Sequence, residues 1–309
     1  MRPLILLLVL ALAGCGEKAP KLAEATRACP AAPSGEVALK GGAFVLGASP
    51  EHEEEGPPRT VTVGPFSIDR TEVTNAEFAE FVKATGYVTL AERQPDPALY
   101  PGVPADKLKP SSLVFVGAEA LNDGNPMQWW RVVDGASWKH PEGPGSDLKG
   151  RERHPVVQIA WDDALAYARW KGRDLPTEAE WEFAARAGLA DARYEWGDTP
   201  PTPGKPRANS WQGVFPAVDT GDDGYKARTA PVGCYEASAY GLYDMTGNVW
   251  EWTKDWYGDR SAPGAAHLIK GGSFLCADNF CYRFRPSARQ PGPPDTGSSH
   301  VGFRTVKRR

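Results

Sequence analysis

From Asp191 to the end of the chain, turn residues recur and apolar residues never fall at helical spacing. Any fold for this sequence must therefore build much of its interior from turns and short strands. Eleven Trp accompany 33 Gly and 29 Pro among the 309 residues. Gly and Pro set turns, and each Trp supplies a large apolar volume that can anchor a core or cleft with little regular structure. The chain is long enough for one large core or two small ones.

Upstream, the patterns are more regular. "FVLGAS" and "RTVTVGPFSIDRTEVT" alternate apolar and polar residues and predict strands. "TNAEFAEFVKATGY" predicts a helix: Thr74 and Glu77 make a capping box, Phe78, Phe81 and Val82 form an apolar stripe, and Gly86 ends it. Residues 90–155 lack periodicity yet carry Trp129, Trp130 and Trp138, so ordered irregular structure is expected there, with these rings in the core. "VVQIAWDDALAYARWKGRDLPTEAEWEFAARAGL" predicts a strand, a helix ending at Gly172, and a second helix opened by the capping box Thr177/Glu180. Together these predict one α+β domain of low regular content over 37–309, with no convincing internal boundary.

The first residues, "MRPLILLLVLALAGCGEKAP", set the expected compartment. Arg2 precedes an apolar run, Leu4 to Ala13, too short to span a bilayer and suited to a signal peptide over 1–14. Leu12-Ala13-Gly14-Cys15 resembles the bacterial lipoprotein signal, which implies a lipidated Cys15, export, and anchoring to a bacterial membrane; an ordinary cleaved signal with an incidental cysteine is the plainer reading. Residues 15–36 then read as the lipidated cysteine and a tether. Export places Cys29, Cys234, Cys276 and Cys281 in an oxidising space, where four cysteines allow three pairings and the sequence selects none. A net charge of -4 without a basic patch argues against nucleic-acid binding.

Several long motifs occur in order: "PVVQIAWDDALAYARWKGRDLPTEAEWEFAARAG", "YEWGD", "GLYDMTGNVWEWTKDWYG", "IKGGSF" and "HVGFR". They resemble the formylglycine-generating enzyme (sulfatase-modifying factor) family over nearly the whole mature chain. The resemblance implies a single α+β domain of the C-type-lectin-like kind with low regular secondary structure, and the chain is expected to be a monomer held at the membrane by its lipid anchor. It also implies an activity: copper-dependent oxidation, by molecular oxygen, of a cysteine in the Cys-x-Pro-x-Arg motif of an unfolded sulfatase polypeptide to Cα-formylglycine. The same fold looks similar in noncatalytic lipoproteins, the alternative reading, and in sulfoxide synthases, which pair it with a His-rich helical domain that this five-His chain lacks.

"GGSFLCADNFCYRFR" (271–285) separates those readings, because it holds two cysteines five apart after Gly-Gly-Ser. A plain Cys276–Cys281 disulfide is the bland reading, although so short a loop stabilises little. By resemblance, Cys276 and Cys281 bind Cu(I), a soft ion that prefers thiolates, with the substrate thiolate as a third ligand. Cys281 is then the more exposed of the two, Ser273 the active-site serine, and Trp250, Tyr282 and Arg283 line the substrate pocket. The resemblance further implies two structural Ca²⁺ sites. Asn209 and Asp223 with the carbonyls of Ser210 and Tyr225 form one; Asp244 and Glu251 with the carbonyls of Gly247 and Val249 form the other, and Glu72 is the candidate for a third. Ordinary turn and capping roles are the plainer reading of these carboxylates. His140 and His154 are expected to be structural or surface residues, and His300 to lie near the pocket.

Overall fold

The computed structural model describes residues 29–117, 126–202 and 204–308. The signal segment 1–14, Cys15 and the tether as far as residue 28 lie outside the described residues. Along the chain run strands β1 (Glu36–Leu39), β2 (Gly42–Leu46), β3 (Arg59–Val63) and β4 (Phe66–Asp69), then helix α1 (Asn75–Thr85). Strands β5 (Ser111–Phe115) and β6 (Trp130–Asp134) precede helices α2 (Trp161–Trp170) and α3 (Glu178–Arg186). After Arg186 the described residues hold strands only: β7 (Gly213–Val214), β8 (Val218–Asp219), β9 (Trp250–Tyr257), β10 (Ala266–Lys270), β11 (Arg289–Gly292), β12 (Val301–Gly302) and β13 (Val306–Arg308).

The helix starts follow from their caps. In α1 the Glu77 amide donates to the Thr74 hydroxyl at 3.3 Å, and the Thr74 amide donates to the Glu77 carboxylate at 2.9 Å. Gly86 closes the helix with φ 69°. The box repeats in α3, where the Glu180 amide donates to Thr177 at 3.2 Å and the Thr177 amide to Glu180 at 2.7 Å. Phe78 and Phe81 of α1 pack on Tyr167 of α2, Trp138 and Phe303. Burying such aromatic side chains stabilises by roughly 1.5–3 kcal/mol each, which makes this cluster the main anchor of the helical layer.

Two sheets fix the rest. The order β1-β4-β13 joins the two ends of the domain, all antiparallel. The order β11-β10-β9-β12 forms the second sheet, antiparallel except for β12 beside β9. β10 is buried along its whole length, so its alternation is hidden in the sequence. A disulfide joins Cys29 to Cys234 and pins the N-terminal segment to the domain.

One expected strand is absent. Residues 156–160 form no ladder, because Gln158 takes a left-handed φ of 61°. The Val156 amide donates to Val73 and the Gln158 amide to Ser298, each at 2.9 Å, so neighbouring residues bond to different partners. The 90–155 segment is largely irregular, as expected, but also carries the β5–β6 ladder, with Ser111 opposite Asp134.

Candidate active site

The turn that follows β10 begins with two glycines that no other residue could replace without displacement. Gly271 and Gly272 have φ 95° and 77°. A Cβ on Gly272 would lie 2.5 Å from the Arg283 carbonyl oxygen, and one on Gly271 would lie 2.8 Å from that of Met245. Bare backbone therefore lets 271–273 lie directly against 283–284 and folds the intervening loop back on itself. The Cys276 amide donates to the Ser273 carbonyl at 2.9 Å, and Ala277 and Phe280 exchange backbone bonds at 2.9 and 3.1 Å. The loop thus returns Cys281 to Cys276.

Both thiols are free. Cys276 is 1% exposed, whereas Cys281 is partly open to solvent. The two side chains hydrogen-bond to each other. Burial pushes the Cys276 thiol well above the ordinary range, and the neighbouring Cys281 sulfur adds to this. Cys281 is shifted down, first by the Cys276 hydrogen bond and then, against burial, by the Arg283 guanidinium. The surroundings thus disfavour charge on the inner sulfur and favour it on the outer one.

Cys281 and Tyr282 are consecutive non-glycine residues in the left-handed region, φ 74° and 51°. Such residues cost roughly 1–2 kcal/mol each, so the surroundings must hold them. His52 Nε2 lies 3.1 Å from the Cys281 carbonyl, which also accepts from Arg283 Nη1 at 3.1 Å. Arg285 Nε donates to the Tyr282 carbonyl at 2.8 Å. Both arginines are anchored in turn by one 3-10 turn, Glu53–Glu55. Arg283 binds Glu54 through Nε at 3.2 Å and Nη2 at 2.5 Å. Arg285 forms a fully buried two-point pair with Glu55 at 2.9 and 2.5 Å.

The other residues expected at the site take different depths. Ser273 is fully buried, its hydroxyl accepting from the Leu275 amide at 3.3 Å and its backbone N–H aimed at the Cys276 sulfur. Trp250 is buried in the same apolar cluster as Cys276, and Cys281 and Tyr282 pack against that cluster. The Tyr282 hydroxyl meets that of Tyr194 at 2.5 Å, and Tyr194 stacks on Trp196 and Phe284. Phe280, next to Cys281, is 40% exposed and stacks on Phe215 at 4.3 Å, with Trp129 edge-on at 5.4 Å. This aromatic ledge beside a reactive thiol suits a peptide side chain. His300 is partly buried, its Nδ1 2.6 Å from Ser298 Oγ and its ring 4.7 Å from Trp130. Sequence reasoning missed His52, Glu54, Glu55, Phe215 and Phe280; the acidic run "EHEEE" facing the basic "RFR" was the available signal.

The candidate calcium residues also fall into two places. Asn209 Oδ1 and Asp223 Oδ2 are buried oxygens with no hydrogen-bond partner. Burial raises the Asp223 carboxyl to about 6, although the Tyr225 amide donates to it at 2.9 Å. Two unpartnered oxygens in the interior, one of them a carboxylate, are a donor set suited to a hard cation. At the second place Glu251 is already held: Arg304 grips it through Nε and Nη2 at 2.8–3.0 Å, and Trp181 Nε1 donates to it at 2.7 Å. The Asp244 carboxylate accepts from the Gly233 amide at 2.5 Å. Glu72 accepts from Asn248 at 3.0 Å through one oxygen and leaves the other, Oε2, unpartnered and buried. Among the described residues no three His, Cys, Asp or Glu side chains are arranged to hold a metal by themselves, so backbone carbonyls would have to complete either calcium set.

The sequence matches the family model described as "Sulfatase-modifying factor enzyme 1-like domain" over residues 21–309. It is 48% identical over 292 residues to the formylglycine-generating enzyme of Mycobacterium tuberculosis, covering 87% of this chain and 96% of that one. It is 40% identical over 274 residues to the inactive Cα-formylglycine-generating enzyme 2 of Bos taurus, covering 87% and 86%. Among solved structures, PvdO from Pseudomonas aeruginosa aligns with a TM-score of 0.58 at 25% identity, covering 89% of this chain and 94% of that one.

Proposed function

This chain belongs to the family of sulfatase-modifying factor enzyme 1-like domains, and we propose that it oxidises the cysteine of a Cys-x-Pro-x-Arg segment in an unfolded sulfatase polypeptide to Cα-formylglycine. The observation that carries this reading is the pair of free thiols, one buried and the other partly open to solvent, beside the Phe280 ledge. A binding protein of the same fold has no need of such a pair, and both thiols are retained. The conversion balances when an external thiol is the co-reductant: the substrate CH₂SH, O₂ and two thiols yield the aldehyde, H₂S, water and a disulfide.

Each residue has a part that its position supports. Cys281 is the sulfur a substrate thiol meets first, since Cys276 lies behind it. Arg283 favours its anionic form. The backbone N–H groups of Ser273 and Arg283 reach the Cys276 sulfur and limit the cost of any charge there. Trp250 lies in the apolar cluster that holds Cys276 and Tyr282 packs against that cluster, surroundings suited to orienting a substrate and keeping bulk water away. Two thiols in mutual contact are a donor set suited to Cu(I), and Cys276 and Cys281 would hold it. When bound, the copper supplies the oxygen chemistry.

Structural Ca²⁺ at Asn209 and Asp223, with the Ser210 and Tyr225 carbonyls, is part of the same proposal, supported by the two unpartnered oxygens. The Asp244, Gly247, Val249 and Glu251 set, and Glu72, are proposed with it; the unpartnered Glu72 oxygen supports the last. We place the protein, as a monomer, on the outer side of a bacterial membrane, anchored through a lipidated Cys15, where an exported substrate is still unfolded.

The test is incubation of the protein with a Cys-x-Pro-x-Arg peptide, Cu(I), a thiol reductant and air, followed by mass spectrometry. The expected product has lost the thiol and gained an aldehyde. No aldehyde from the wild type, or an unchanged yield from Cys281→Ser, would overturn the reading.

A further inference from the structure

Two stretches of chain distant in sequence, 149–154 and 228–231, meet around a cavity of about 340 Å³. Lys149, Arg151, Arg153 and Arg228 line it together with His154 and Thr229, and among the described residues no carboxylate does. Cations gathered round one opening repel each other, and the fold does little to cancel their charge there. Arg153 donates to the carbonyls of Cys29 at 3.2 Å, Pro30 at 2.9 Å and Val232 at 3.4 Å. Those bonds hold the guanidinium in place but carry no opposing charge. Arg151 meets Glu142 at 2.5 Å through Nη1, and Glu142 lies outside this lining. The combined field is felt at the His154 ring: burial lowers it to about 4, and Arg151, Arg228 and Arg153 add to the shift. The Thr229 hydroxyl, 2.8 Å from His154 Nδ1, fixes that ring.

We propose that this cavity is an anion site that takes a phosphate group, bound by Lys149, Arg151 and Arg228, with Arg153 adding charge. A phosphate directs oxygens to several sides and can meet cations arriving from separate segments, whereas a planar carboxylate offers one edge. Binding relieves the repulsion among the guanidiniums. Cys29, where the proposed tether from Cys15 reaches the domain, also lines the cavity. A bilayer headgroup is therefore one source of the phosphate, and a free phosphate in solution is the other. The site involves neither the thiols nor the calcium side chains, so it stands or falls apart from the proposed oxidation.

The full chain carrying Cys15→Ser, so that no acyl group contributes, is titrated calorimetrically with inorganic phosphate at low ionic strength. Saturable binding of one phosphate per chain is expected. Arg151→Gln should weaken it about tenfold, the size of one lost charged hydrogen bond. Lys149→Gln, a change on an exposed side chain, should weaken it in the same direction and covers the case in which Arg151→Gln does not fold. Arg260→Gln removes an exposed arginine outside the cavity and should bind as the parent does. Cosedimentation with phosphatidylcholine vesicles, with and without phosphatidylglycerol, separates the sources. Retention on phosphatidylglycerol that Lys149→Gln reduces and added phosphate reverses identifies the headgroup. Phosphate binding without such retention identifies a free phosphate. Absence of saturable phosphate binding in the parent chain would overturn the proposal. So would a loss in Arg260→Gln equal to that in Arg151→Gln and Lys149→Gln, which marks diffuse charge attraction and not a site.

Discussion

Arg304 holds Glu251 with two nitrogens on two oxygens, and both side chains are essentially shut off from water. The remaining Arg304 nitrogen reaches the carbonyls of Asp69 and Arg70, and Nη2 also reaches those of Tyr243 and Asp244. One side chain from the closing "HVGFR" motif therefore ties the first sheet, the 243–244 turn and β9 together. Trp181 of α3 completes the node by donating to the same carboxylate.

Removing the guanidinium leaves Glu251 charged, buried and short of its main partner, which typically costs about 3–5 kcal/mol. Arg304→Met should therefore lower the urea midpoint strongly, whereas Arg304→Met with Glu251→Gln should recover part of the loss. Equilibrium unfolding of the single and double variants checks this. Equal stabilities for Arg304→Met and wild type would show that the node is not a stabilising one.

The glycine pair before Ser273 gives a sharper local prediction. Gly272→Ala places a Cβ 2.5 Å from the Arg283 carbonyl at φ 77°. Left-handed strain alone costs roughly 1–2 kcal/mol, and relief of the clash must push apart the two segments that bring Cys276 and Cys281 together. The variant should lose activity out of proportion to its stability, and Cys276 should become accessible to iodoacetamide. Gly264→Ala serves as the control, because its φ of 73° carries comparable strain but no atom lies within 4 Å of the added Cβ.

Local signals were legible in the sequence and long-range ones were not. The capping boxes at Thr74 and Thr177 each lie within four residues, and both helices begin where those residues say. The expected strand at 156–160 fails because Gln158 is turned by buried bonds to Ser112 and the Pro141 carbonyl, contacts that no window around it contains. At the site, the cysteine spacing and the glycines marked the loop. The residues that hold it, His52, Glu54 and Glu55, come from more than two hundred positions away. The Cys29–Cys234 pairing is likewise set by the fold, and the sequence left it among three choices.

Two partly buried imidazoles should make the fold acid-sensitive. Burial lowers His154 to about 4 and His300 to about 3, and guanidiniums near His154 add to the effect. A base whose folded value lies below its unfolded value of about 6.5 contributes stability that is present above 6.5 and is lost as pH falls toward the folded value. At pH 5 each histidine should cost about 2 kcal/mol relative to pH 7.5. Urea unfolding at the two pH values should show this loss in the wild type, and about half of it should disappear in His154→Gln.

Calcium binding at Asn209 and Asp223 makes a prediction that thermal melts can check. Without a cation the interior holds two oxygens that lack partners, and burial disfavours the Asp223 charge. A bound Ca²⁺ would supply the missing partner for both. Free Ca²⁺ at a hundredfold over its dissociation constant adds about 2.7 kcal/mol, which for a domain of this size raises the melting temperature by about 5–10 °C. Chelation should reverse the rise. Asp223→Ala, with its remaining site incomplete, should melt at the same temperature with and without Ca²⁺ if this is the dominant site. An unaltered calcium response in Asp223→Ala would place the stabilising ion elsewhere, with the Glu72 and Asp244 carboxylates the next to test.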